Sequence, residues 1–154
     1  MKIRDILAGK DAKYRVVAAV GPNENISVAI QKMVTFDRGA ISVCNENGEL
    51  LGIITERDIV RKCLMSIAAL ENVKVNNIMT EKVAMGHPED DLDYAISVMK
   101  QKRIRHLPIV DNQEVVGMIS MRDLIGLQLA EREAEIRYAG LLRGEPHHGR
   151  RHLV

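Results

Sequence analysis

GIITERD, residues 52–58, and GMISMRD, residues 117–123, hold a glycine, two apolar residues, a hydroxyl side chain, an arginine and an aspartate in one register. Upstream, PNENISVAIQKMV from Pro22 matches PEDDLDYAISVMK from Pro88, so Ile26, Ala29, Ile30 and Met33 fall on Leu92, Ala95, Ile96 and Met99. The chain is therefore an internal repeat. That apolar spacing of i, i+3, i+4 and i+7 predicts an amphipathic helix in each copy, with Asn25 and Asp91 as N-caps. The β-branched runs Ile41–Cys44 and Leu107–Val110 follow, then the turns Asn45–Gly48 and Asp111–Gln113, then the runs Leu50–Ile54 and Val115–Ile119. Each copy thus predicts a hairpin, and the second turn is the shorter by one residue. A second helix starts at Glu56 and at Met121; it runs to about Leu64 in the first copy and to about Tyr138 in the second, with Gly140 as its stop.

An early strand completes a βαββα unit, and a unit this small cannot bury both its apolar faces alone. The fold class expected is α+β, with two βαββα repeats packed as a pseudo-twofold pair. The first domain covers residues 1–65, with its lead-in from Met1 and its core from about 14. Residues 66–74 link it to a second domain, 75–130, and 131–154 hold a helix end and a disordered tail. Ile3–Leu7 and Val75–Met79 look like matching lead-ins.

Composition excludes several functions. Lysine plus arginine number 22 against 21 aspartate plus glutamate, so no global field draws in nucleic acid or an anionic membrane. Aromatics are 3% with no tryptophan, which leaves little for base stacking. No apolar run approaches the ~20 residues of a membrane span or forms a signal peptide. Cys44 and Cys63 lack metal or redox spacing and read as small core residues, which suits a reducing, cytoplasmic setting. His147–His148, without a cysteine or acid nearby, reads as solvated tail, and no metal is expected. No nucleophile–base–orienter set is visible, so neither a catalytic residue nor an enzyme is expected.

The doubled motif carries the chemistry. Read structurally, Thr55-x-x-Asp58 and Ser120-x-x-Asp123 are capping boxes. Read functionally, glycine at a strand end lets a ligand approach the backbone, the hydroxyl and first-turn N–H groups meet phosphate, and the carboxylate holds a ribose. No GxGxxG or P-loop is present.

The paired GIITERD and GMISMRD, the lead-ins IRDIL and VNNIMT, and RIRHLPIVD before the second hairpin resemble paired cystathionine-β-synthase-type (CBS) domains, over roughly Met1 to Leu129. The closest similarity is to proteins made of one such pair. The resemblance implies two symmetry-related clefts, a homodimer, and an adenine ligand: AMP, ADP, ATP, NAD or S-adenosylmethionine. It implies that Asp58 and Asp123 hold ribose and that Thr55 and Ser120 contact ribose or phosphate, with Arg57 and Arg122 beside them. Val17, Ala18, Val83, Ala84, Ile41, Leu107 and Pro108 stand in the stretches that surround the adenine. Arg105–His106 match a basic pair that reaches phosphates in a related kinase subunit. The first copy has Arg38 followed by small residues there, so unequal sites are expected. The resulting expectation is a regulatory module that senses adenine nucleotides, requires no cofactor and signals to an unidentified partner protein. The alternative is a dimerising scaffold with vestigial sites.

Overall fold

The computed structural model describes residues 1–9, 17–63 and 71–144, with Cys63 by its backbone alone, in two units, Met1–Met121 and the remainder from Arg122. The start of the first core near Tyr14, linker residues 66–70, the Cys63 side chain and the tail with His147–His148 lie outside the described residues. In chain order the first unit carries α1 (Ile3–Leu7), β1 (Ala19–Val20), α2 (Ile26–Phe36), β2 (Ala40–Cys44), β3 (Leu50–Thr55), α3 (Glu56–Cys63), α4 (Val75–Ile78), α5 (Leu92–Lys102), β4 (His106–Asp111) and β5 (Glu114–Ser120). The long helix α6 (Met121–Leu142) belongs from Arg122 onward to the second. The class is α+β.

The predicted helices start where their caps require, but by different means. Asn25 caps α2 directly, its side-chain oxygen accepting from the Ser27 N–H at 2.9 Å. Asp91 occupies the same place before α5 and makes no cap bond. Its carboxylate instead meets the Lys2 ammonium at 2.9 Å, which holds its pKa below the usual carboxylate value.

In the first copy β1 lies parallel to β2, and β2 pairs antiparallel with β3. In the second copy β4 and β5 form the hairpin, but the early strand is reduced to a single parallel bridge, Gly86 to Ile109. Pro108 explains the loss. It stands where the first copy has Ser42, the residue paired with Ala19, and it has no N–H to give the neighbouring strand. The hairpin turns differ as their lengths dictate. Asn45 Oδ1 accepts from the N–H groups of Asn47 and Glu49 in the first, where Gly48 takes φ +80°. The tighter second turn puts Asn112 and Gln113 both at positive φ.

The lead-ins are exchanged between the copies. Val75 and Ile78 of α4 are buried in the first copy's core with Val20, Ile26, Ala29, Met33, Ile41, Val43 and Ile54. The Val75 and Asn76 N–H groups donate to the carbonyls of Glu24 and Pro22, both at 2.9 Å. Reciprocally, the Ile3 and Arg4 N–H groups donate to the carbonyls of Asp90 and Pro88, at 3.0 and 2.8 Å, and Ile3 is fully buried. Each lead-in thus closes the core of the repeat it does not belong to in sequence.

The motif glycines serve this exchange, which corrects their reading as places of ligand approach. A Cβ on Gly52 would lie 2.7 Å from the Thr80 carbonyl oxygen, where the second lead-in pairs with Ile53 through two hydrogen bonds. A Cβ on Gly117 would lie 2.6 Å from a Leu7 methyl. What comes close to both glycines is a lead-in.

The second unit also departs from expectation. Helix α6 continues through Gly140 to Leu142, and the left-handed glycine at its end is Gly144, φ +69°. A glycine inside a helix costs only about 1 kcal/mol against alanine, so Gly140 alone does not stop it.

Candidate functional site

The end of β3 and the start of α3 build one wall of a cleft. Thr55 and Asp58 form a complete capping box. The Thr55 hydroxyl accepts from the Asp58 N–H at 3.1 Å, and Asp58 Oδ2 accepts from the Thr55 N–H at 3.1 Å and from its hydroxyl at 3.0 Å. The structural reading of the motif is therefore realised at this copy. The other carboxylate oxygen, Oδ1, faces Lys62 Nζ at 3.8 Å. Lys62 Nζ also donates to the Ile78 carbonyl at 2.8 Å, tying α3 to the exchanged lead-in.

The opposite wall comes from the second copy. Thr80, Lys82, Val83 and Ala84 follow α4, and Arg103 to His106 lead from α5 into β4. Together with Gly39, Ile53, Thr55, Glu56, Arg57 and Asp58 they line a cavity of about 300 Å³. Four permanent cations, Arg57, Lys82, Arg103 and Arg105, face two acids, Glu56 and Asp58, with His106 among them. A cleft with that balance attracts an anion.

The placement of the expected residues is uneven. Thr55, Arg57, Asp58, Val83, Ala84, Arg105 and His106 come together in this one cavity. The basic pair of the second copy thereby meets the hydroxyl and carboxylate of the first, not those of its own repeat. Val17 and Ala18 line a separate space of about 10 Å³ with Arg38, Ala40, Ser42, Val115, Gly117 and Met118. That is about the size of one water. Among the described residues the buried Arg38 Nε and Ser42 Oγ have no hydrogen-bond partner. Ile41, Leu107 and Pro108 are core residues that line neither cavity, because their strands turn them inward. Ser120 ends β5, while Arg122 and the buried Asp123 belong to the second unit; none of the three lines either cavity.

Gly39, Glu56, Thr80, Lys82 and Arg103 were not singled out from the sequence. Thr80 and Lys82 directly follow the VNNIM lead-in, but no local signal says that this lead-in lies against the other repeat. Arg103 ends α5 in the left-handed conformation, φ 54°, as Asp37 does for α2 at φ 50°. A basic residue two positions before Arg105 was the available signal.

Two repeats that exchange their lead-ins and share a cleft built from both copies define the class of protein. The CBS domain model matches the chain twice, over residues 10–64 and 75–130, and the chain belongs to the CBS-domain family. It is 34% identical over 125 residues to CBS domain-containing protein YhcV of Bacillus subtilis, an alignment covering 81% of this chain and 88% of that protein. Among solved structures it is similar to CBS-domain containing protein ATU1752 from Agrobacterium tumefaciens. That match has TM-score 0.73 and 31% identity, over 83% of this chain and 99% of the other. It is also similar to the CBS domain pair of protein MJ0100 in complex with 5′-methylthioadenosine and S-adenosyl-L-methionine, with TM-score 0.73 and 25% identity over 85% and 98% of the two chains. Among the described residues no helix is long and apolar enough to cross a membrane, and no three His, Cys, Asp or Glu gather as a metal site.

Proposed function

We propose that the chain is a non-catalytic regulatory module that binds an adenine nucleotide in the large cleft and passes the bound state to a partner protein. The observation that carries the reading is the cleft's mixed parentage: Thr55 and Asp58 from one repeat, Arg105, His106 and Lys82 from the other. A nucleotide with its ribose on Asp58 and its phosphate on Arg105 touches both repeats at once, so its binding energy favours one arrangement of the pair. Ligand sites span roughly 300–1,000 Å³, and the cleft at about 300 Å³ suits a mononucleotide better than NAD. The adenosyl ligands of the MJ0100 pair support an adenine ligand here. The cationic lining favours phosphate over the positively charged tail of S-adenosylmethionine.

AMP at a hundredfold excess over Kd stabilises the fold by ~2.7 kcal/mol, which raises the melting temperature several degrees. A thermal-shift panel of AMP, ADP, ATP, NAD and S-adenosylmethionine checks this, and calorimetry is expected to give one site per chain. No shift with any of them at millimolar concentration sinks the nucleotide reading and leaves a scaffold.

We also propose a homodimer. Each repeat's second helix exposes an aliphatic side chain at the matching position, Val60 at 55% and Ile125 at 49%, and Leu129 follows at 58%. Isologous pairing of such helices covers them. Light scattering at tens of micromolar reports twice the 17.2 kDa chain mass if the pairing holds, and a monomer if it does not. A reducing compartment such as the cytoplasm suits Cys44, a free, buried thiol whose pKa burial pushes up.

A further inference from the structure

Glu56 is an acid among the cations of the large cleft, and the nucleotide reading gives it no task. It is exposed, the first residue of α3, and its backbone N–H donates to the Gly39 carbonyl at 3.0 Å. That bond anchors it against the strand entry of the first repeat. A Cβ placed on Gly39 would lie 3.5 Å from Glu56 Oε2 and 3.4 Å from His106 Nε2. Carboxylate and imidazole, one from each repeat, therefore converge over the same point, and Gly39 leaves the space they share. Arg103 and Arg105 precede His106 in the chain and line the same cavity. The matching position of the second repeat is Met121, so the acid is particular to this cleft.

We propose that Glu56 is an internal counter-anion that sets how many phosphates the cleft accepts. Its carboxylate and the His106 imidazole both reach the space above Gly39, and the proposal puts the outer phosphates of a longer chain there. A nucleoside carries no charge to repel, a monophosphate meets the acid at one end, and each further phosphate adds negative charge beside it. Glu56 thereby narrows the advantage that the cationic lining gives a triphosphate over a monophosphate of the same base. This inference rests on the adenine-nucleotide reading of the cleft.

The test is E56Q, which keeps the shape and the backbone bond to Gly39 and removes the charge. Dissociation constants for adenosine, AMP, ADP and ATP are measured by calorimetry on the full chain in the presence of a chelator. Expected in E56Q are unchanged adenosine affinity, a few-fold gain for AMP and a gain of about tenfold or more for ATP, the scale of one like-charge contact near a protein surface. The ratio of ATP to AMP affinity then rises over that of the wild type. An unchanged AMP-to-ATP ratio overturns the proposal while leaving the nucleotide reading intact. Weaker S-adenosylmethionine binding in E56Q, without any gain for phosphates, overturns it too and assigns Glu56 to the ligand's ammonium group. Binding of no adenine ligand by either protein overturns the nucleotide reading together with the inference.

Discussion

Asp58→Ala weakens AMP binding roughly 10- to 150-fold, the loss of one charge-assisted hydrogen bond to ribose worth about 1.5–3 kcal/mol. Asp58 lines the cleft, and its Oδ2 is already committed to the Thr55 N–H and hydroxyl, so Oδ1 is the oxygen placed to take a ribose hydroxyl. The same carboxylate closes a capping box, and its removal also costs about 0.5–2 kcal/mol of stability. Calorimetry and thermal melting on the same variant separate the two losses. Asp58→Asn keeps an acceptor for the cap and isolates the charge. Arg105→Ala is the contrasting variant, since Arg105 lines the cleft from the other repeat and the proposed reading gives it phosphate alone. It weakens AMP strongly and adenosine hardly at all, whereas Asp58→Ala weakens both. Equal losses for adenosine and AMP in Arg105→Ala remove it as a phosphate ligand, and an unchanged Kd in Asp58→Ala removes the ribose contact.

Ile78→Ala costs about 2–5 kcal/mol, the range for truncating a buried aliphatic side chain to alanine. The informative result is where the damage falls. Ile78 belongs by sequence to the approach of the second repeat, yet it is 4% exposed and packed in the first repeat's core with Ile26, Met33 and Ile54. Hydrogen exchange is expected to show loss of protection in β2 and β3. Ile3→Ala, at a residue fully buried and hydrogen-bonded to Asp90, is expected to expose β4 and β5. If each substitution loosened only the repeat that follows it in sequence, the exchange of lead-ins would be wrong.

Much of the candidate site was legible because its signals are local. Thr55-x-x-Asp58 falls at a strand-to-helix junction, and a capping box needs only residues three apart. Arg105–His106 stand just before a β-branched run, so their place at a strand entry was readable too. The adenine-contact stretches were less legible. Val17–Ala18 and Val83–Ala84 are alike in sequence, but one pair borders a cavity of about 10 Å³ and the other a cavity of about 300 Å³. Ile41, Leu107 and Pro108 stand in stretches that the resemblance sets around the adenine, and their side chains are buried in the core; strand alternation alone does not say which face meets a ligand.

By itself the sequence determined the repeat, the amphipathic helices from Ile26 and Leu92, the two hairpins and the hydroxyl–carboxylate motif. Each of these depends on contacts within a few residues or on a period of 3.6 or 2. Tertiary structure decided which half meets which. The lead-ins Ile3–Leu7 and Val75–Met79 match each other so well that packing on the own repeat or on the other reads equally well from the chain. Burial of Ile3 and Val75 against the opposite repeat, and the close passages at Gly117 and Gly52, select the exchanged arrangement. The same exchange carries Thr80 and Lys82 across to Thr55 and Asp58, so the cleft's chemistry is shared between repeats. The place of Pro108 beside an early strand also came only with the fold, where Gly86 bridges Ile109 and donates to the Pro108 carbonyl. Local periodicity builds each half, and the long-range burial of a few aliphatic side chains chooses between the two symmetric ways of joining them.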